Sequence, residues 1–214
     1  MSLRLNGSNS GFSEITAPAT AGDNTLTLPA GNGSANQFLK NSGTAGTLEF
    51  AALAGSNMPA GSILQVVHVA KTDVFSVSAS SGSFSTVFSA QITPSATSSK
   101  VLVMWSSNIS ASGTNQRMGF RVLRDSTAVG IGDASGSRTR AGSPNLTVTQ
   151  DDQSKQATQN FLDSPSTTSQ VTYNLQISGE NSAGTMYVNR NGHGGDDSTH
   201  YRGASHIVLM EVAA

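Results

Sequence analysis

The sequence predicts an all-β chain, an antiparallel β-sandwich or jelly roll preceded by an extended, irregular N-terminal arm. Three observations carry this. The 214 residues include 34 Ser, 21 Thr, 15 Asn and 22 Gly. Ser, Thr and Asn hydrogen-bond better in turns and strands than in helices, and Gly loses the most backbone entropy on ordering, so a helical bundle is excluded. Beyond residue 61 the apolar residues recur with period two, the signature of strands. Composition also changes between residues 54 and 62, since no Val, Tyr or Trp precedes Val66.

Residues 1–54 form the first element. Their large apolar side chains are scattered among Gly, Asn, Thr and Pro, too thinly to offset the entropy of ordering the segment alone. The segment is expected to order against copies of itself, another protein or the body of the chain. Leu3, Leu5, Phe12, Ile15, Leu26, Leu28, Phe38 and Leu39 are the side chains expected to attach or trimerise it. Residues 55–61 read as a linker, punctuated by Gly and Pro with no periodic pattern across them.

Residues 62–214 then supply the sandwich. Val101, Val103, Trp105, Ser107 and Ile109 alternate with Leu102, Met104 and Ser106. Val171, Tyr173, Leu175 and Ile177 alternate cleanly with Thr172, Asn174, Gln176 and Ser178, a strand with one wet face. Shorter runs at 63–69, 84–92, 118–123, 128–131, 146–149, 159–162, 186–188 and 205–212 bring the total to roughly ten strands. Arg124-Asp125-Ser126 is a predicted hairpin tip. The polar stretches 133–145, 149–158 and 189–201 are loops, where recognition residues concentrate in such folds.

Composition excludes several functions. Twelve Lys and Arg against thirteen Asp and Glu leave a net charge of −1, with no general attraction to nucleic acid. The absence of Cys removes disulfides, thiolate metal sites and Cys nucleophiles. The apolar runs 101–105 and 207–210 are too short to span a bilayer, and residues 1–13 hold no apolar signal core, so neither membrane insertion nor conventional secretion is expected.

Chemistry concentrates in one loop, where Asn189, Arg190, Asn191, His193, Asp196, Asp197, His200 and Tyr201 bring imidazoles and carboxylates together. These residue types admit an exposed turn, a loop contacting carbohydrate or a receptor, or a metal or acid/base site. The His-x6-His spacing lacks the short intervals that set two imidazoles on one side of a strand or helix turn. Asp151 with Asp152, and Asp163 before Ser164-Pro165, are candidate carboxylates for glycoside hydrolysis. Adjacent aspartates in a strand point to opposite faces, and Asp163-Ser-Pro reads as a turn initiator. Arg117 and Arg121 share a strand face opposite Met118, Phe120 and Val122, which suits either an outward polar face or contact with an anionic glycan. No Gly-x-Ser-x-Gly elbow or nucleotide-binding glycine motif occurs, so no catalytic residue, metal or cofactor is assigned.

Several segments carry a resemblance. Leu5-Asn-Gly-Ser8, Gly11-Phe-Ser-Glu-Ile15, Asn24-Thr-Leu-Thr-Leu-Pro29, Gln37-Phe-Leu-Lys40 and Leu48-Glu-Phe50 resemble the short segment found in tail-fibre and other virion proteins of marine bacteriophages, cyanophages especially. The body is similar to the β-rich domain that follows it there, through Gly61-Ser-Ile-Leu-Gln-Val66, Phe120-Arg-Val-Leu-Arg-Asp125, Leu162-Asp-Ser-Pro165 and Ser205-His-Ile-Val-Leu-Met-Glu-Val212. The resemblance implies a non-enzymatic virion protein, usually a homotrimer. Its arm would bind other virion proteins, and its β-domain would meet host-surface glycan or protein. It also leaves a capsid-decoration, head-fibre or collar protein, and a small glycan depolymerase, as alternatives.

Overall fold

The structure is a computed structural model that describes residues 2–16, 18–20, 22–78, 81–180, 184–193 and 198–214. The chain divides into two units, Met1–Ala54 and Gly55–Ala214. All strand pairing between named strands is antiparallel, and no α-helix occurs among the described residues.

In the first unit the chain is not featureless, as an irregular arm would be, but carries two hairpins. Strand β1 (Ser2–Asn6) pairs with β2 (Phe12–Thr16), setting Leu3 opposite Ile15 and Leu5 opposite Ser13. Leu3, Leu5 and Ile15 therefore share one face. The Arg4 guanidinium lies 3.4 Å from the Phe12 ring centroid on the other. Strand β3 (Gln37–Asn41) pairs with β4 (Leu48–Ala52), where Lys40 and Glu49 are opposite and ion-paired at 2.8 Å.

The second unit opens with a single 3-10 turn, Gly55–Asn57. The strands follow as β5 (Ile63–Lys71), β6 (Phe75–Ser78), β7 (Ser85–Ile92), β8 (Lys100–Ala111), β9 (Gln116–Arg124), β10 (Thr127–Val129), β11 (Ser143–Val148), β12 (Lys155–Asp163), β13 (Val171–Gly179), β14 (Thr185–Val188) and β15 (Ser205–Val212). Ten match predicted runs, and β6 is additional. The β9–β10 turn falls at Asp125, which takes φ 52°, a left-handed conformation that Asp tolerates. Strand β10 ends where Gly130 takes φ 61° and the Phe161 ring occupies the space of a Cβ.

One sheet has the order β10-β9-β13-β7, with β11 also pairing with β9. The other runs β5-β15-β8-β14-β6, with β12 also on β8. Their facing side chains form one core, including Val101, Val103, Trp105 and Ile109 from β8 and Phe120, Val122, Tyr173 and Leu175 from the opposite sheet. Trp105 and Phe120 meet across the sandwich with ring centroids 5.2 Å apart.

The two outer faces differ. On the five-stranded sheet Ser89 donates to Asn174, Gln91 to Thr172, and Gln176 to Thr86, while Arg121 donates to Gln176. On the six-stranded sheet the register aligns Val66, Met210, Leu102 and Leu162 in one row across β5, β15, β8 and β12. The next row holds His68, Val208, Met104 and Asn160.

Candidate functional site

The 189–201 loop connects β14 to β15 and is held at its base by a buried polar network. Asn189 takes φ 67° and is fully buried. Its amide donates to the carbonyls of Lys71 at 2.7 Å and Asp73 at 3.0 Å, and its Oδ1 accepts from Ser205 Oγ at 2.7 Å. Ser205 Oγ lies 3.1 Å from Ser107 Oγ, and the Asn189 N–H bonds the Asn108 carbonyl at 2.9 Å. Expected among the contact residues, Asn189 is instead an internal brace, because burial requires each of its polar groups to find a partner. Asn191 is also buried.

Three further contacts fix the path. Ser110 Oγ donates to the Arg190 carbonyl at 2.6 Å, and the His193 N–H to the Asp151 carbonyl at 2.9 Å. Between them Gly192 passes so close to Ala111 and Asp151 that a Cβ would collide with their carbonyl oxygens. Arg190 donates from Nε to the Asn191 carbonyl and lies 4.2 Å from the Tyr187 ring centroid, so its guanidinium is turned along the loop.

The outer part of the loop presents the groups suited to recognition. The rings of His193 and His200 are 5.1 Å apart, and His193 Nδ1 lies 4.0 Å from Asp151 Oδ2. Tyr201 is 84% exposed. A cleft of about 510 Å³ is lined by Asp152, Ser154, His200, Tyr201 and Arg202 among others, joining this loop to the β11–β12 loop. It offers an aromatic face, hydroxyls and charges of both signs. Asp196 and Asp197 lie outside the described residues. Among those described, no group of three or more His, Asp or Glu is placed to hold a metal ion.

The other candidate carboxylate is paired. Asp163 ends β12 rather than initiating a free turn. Arg124 NH1 donates to both its oxygens at 2.8–2.9 Å, and the Tyr173 hydroxyl donates to Oδ2 at 2.7 Å. Burial first, and then the adjacent Asp163, push the Tyr173 phenol far above its ordinary value. Arg117 forms an ion pair with Glu180 at 3.0 Å. Desolvation lowers the Arg121 pKa, and its guanidinium stacks 4.0 Å from the Phe84 centroid.

Sequence reasoning did not single out Glu211. It sits on the inner side of β15, 1% exposed, with Ser95 N–H, Ser95 Oγ and Gln65 Nε2 each donating to it at 2.6 Å. Alternation held the signal: Ile207, Leu209 and Glu211 share a face, so a carboxylate on a core face had to have built-in partners.

In the first unit Leu3, Leu5, Phe12, Ile15, Leu26, Leu28, Phe38 and Leu39 are all exposed, from 36% at Phe38 to 69% at Ile15. The hairpins bring Leu3, Leu5 and Ile15 together. Phe38 and Leu39, adjacent in one strand, point to opposite faces.

Fold and site define an antiparallel β-sandwich with a polar, loop-built cleft. No family model matches the chain, and no curated protein does. Among solved structures it is similar to infectious bursal disease virus, Gx strain, with 15% identity, a TM-score of 0.40, and coverage of 95% of this chain and 43% of that one. It is similar to the VP2 subviral particle of the same virus at 18% identity and TM-score 0.40, covering 70% of this chain and 37% of that one. T=1 particles derived from the virus give 15% identity and TM-score 0.41, covering 98% and 44%. The chain spans less than half the length of these chains, and the likenesses are distant.

Proposed function

We propose that this chain is a non-catalytic structural protein of a bacteriophage particle, a tail-fibre-like adhesin. Its first unit attaches to the particle and trimerises, while its sandwich is displayed toward the host surface. The observation that carries the reading is the exposure of Leu3, Leu5, Phe12, Ile15, Leu26 and Leu28 on a unit whose named strands form two two-stranded sheets, the second joined by the single bridge of Thr27 to Thr47. A two-stranded hairpin is marginal in water by itself. An uncovered apolar face on one is stabilised once other copies or another protein bury it. The sequence resemblance to marine phage virion proteins supplies the setting.

The cleft by Tyr201 and His200 suits the displayed end of such a protein. An exposed aromatic ring beside Asp, Arg and Ser groups can stack on a sugar and hydrogen-bond its hydroxyls. The test is to locate the protein in intact particles by labelled density and to measure whether the purified chain binds host cells. Density at the tail with binding lost in Tyr201→Ala supports the adhesin. A capsid position, or no binding by the intact chain, overturns it. Incubation with host surface glycans checks the absence of catalysis, and release of reducing ends would refute that part.

A further inference from the structure

The outer face of the six-stranded sheet is built to be covered. Val66, Met210, Leu102 and Leu162 run unbroken across four strands, and Val208 and Met104 lie beside them in the next row. Val66 is 57% and Leu162 53% exposed. A third row adds Ala70, His206, Ser106 and Thr158, and no Lys, Arg, Asp or Glu stands at any position of the three rows. This is not a general property of the fold, because the equivalent face of the other sheet is a ladder of polar side chains bonded to one another.

The polar groups within the patch are largely provided for. His68 Nε2 and His206 Nδ1 are 3.1 Å apart, one donating and the other accepting, with the rings stacked at 5.3 Å. Thr158 donates its hydroxyl to the Trp105 carbonyl at 2.9 Å. Covering these groups costs little, since buried polar atoms are penalised chiefly when unpaired.

We propose that this face is an interface between copies of this chain. A second copy fits better than an unlike partner because the three rows hold no Lys, Arg, Asp or Glu. Identical surfaces meet there without like-charge repulsion, and the face carries no charge pattern to select a different protein. The aliphatic row Val66, Met210, Leu102 and Leu162 can also pack against its own kind, as sheets do face to face. Four strands about 4.8 Å apart and three rows roughly 6.7 Å apart give roughly 400 Å². That is about half of one partner's share in a standard interface of roughly 800 Å² per side. Ile63 and Val212 extend the strip, and Lys100 bounds it on β8, the arrangement of an apolar centre with a polar rim. The inference stands on this face and does not require association through the first unit.

Two methionines on the face make it directly testable in the intact 214-residue chain. Met104 and Met210 are partly exposed, whereas Met118 and Met186 are buried in the core at 1% and 2%. Peroxide oxidation followed by peptide mass spectrometry reads all four. Met104 and Met210 are expected to oxidise at least about tenfold more slowly in concentrated protein than after dilution. The double variant Val66→Glu, Leu162→Glu should abolish that protection while Met118 and Met186 stay slow, which reports an intact fold. Equal, fast oxidation of Met104 and Met210 at every concentration overturns the proposal, even if light scattering still finds an oligomer, because association is then made elsewhere. Protection that survives dilution to the monomer overturns it in favour of the chain's own remainder. Protection that appears only on adding another particle protein overturns it in favour of that partner.

Discussion

Replacing Glu211 tests how the sandwich is closed at the C-terminal end of β15. Its Oε1 accepts from the Ser95 N–H and hydroxyl, and its Oε2 from Gln65 Nε2, which also donates to the Thr93 carbonyl at 2.7 Å. Glu211→Gln keeps one oxygen for Ser95 but presents an NH2 to the Gln65 NH2. Charge-assisted bonds contribute about 1.5–3 kcal/mol each, and neutral ones about half that. One lost and two weakened bonds give an expected destabilisation of about 3–6 kcal/mol at pH 7. Glu211→Ala should cost at least as much, since it leaves the Ser95 and Gln65 donors without this acceptor and opens a cavity. Burial alone would raise this carboxyl, but the bonds from Ser95, Gln65 and Ser99 outweigh it and hold the pKa below the ordinary value. A lowered folded-state pKa means the contribution is present above the unfolded value near 4.3 and is lost as pH falls through the folded one. Urea unfolding at pH 7 and at steps below pH 5 measures both effects, with equal m-values securing the comparison. If Glu211→Gln lies within about 0.5 kcal/mol of the parent at pH 7 and follows the same acid profile, the buried carboxylate contributes nothing specific and the reasoning fails.

Other expectations follow from the paired groups. Asp163→Asn should destabilise by about 2–4 kcal/mol, because Arg124 and Tyr173 both lose a charged acceptor, and denaturant unfolding checks this. Since the Tyr173 pKa is raised, the stability it contributes is present below pH 10 and falls as pH rises further, so Tyr173→Phe should flatten the alkaline loss of stability seen by circular dichroism. Asn189→Ala should cost about 2–3 kcal/mol and speed hydrogen exchange at the Gly203 amide, which bonds the Asn189 carbonyl; unchanged exchange would mean the loop is held elsewhere. Gly192→Ala should unseat the loop from Ala111 and Asp151, measured as a lower Tm and weaker binding by the cleft.

The strands show which parts of the architecture a single sequence reveals. Strand β13 alternates in residue type from Val171 to Ile177, but its second face is only partly wet: Thr172 and Asn174 are half-buried, while Gln176 and Ser178 are buried, the first bonded to Arg121 and Thr86. Strand β6 leaves little trace in the sequence because Phe75 to Ser78 offers only two apolar positions, and its pairing with β14 comes from residues more than a hundred positions away. The hairpins of the first unit were hidden for a related reason. The apolar residues on their strands are exposed, so local pattern reads as irregular until cross-strand register sets Leu3 beside Ile15. In the loop, residue type alone cannot separate a brace from a contact. Asn189 and Tyr201 look equally available in the sequence, and the carbonyls of Lys71 and Asp73, at and just beyond the end of β5, together with the Ser205 hydroxyl hold the first inward.

The uninterrupted apolar runs 101–105 and 207–210 carry the most. Read for length they are too short to cross a bilayer as a helix. Read for period they say more: a strand with one wet face alternates, whereas a strand apolar at successive positions has two faces to bury. Val101, Val103 and Trp105 satisfy one face of β8 in the core, as Ile207 and Leu209 do for β15. Leu102, Met104, Val208 and Met210 are the remainder. A sequence that spends aliphatic side chains on an outer sheet face, in a chain otherwise rich in Ser and Thr, specifies a covered face, and the covering surface belongs to the same physical description of the fold as the core itself.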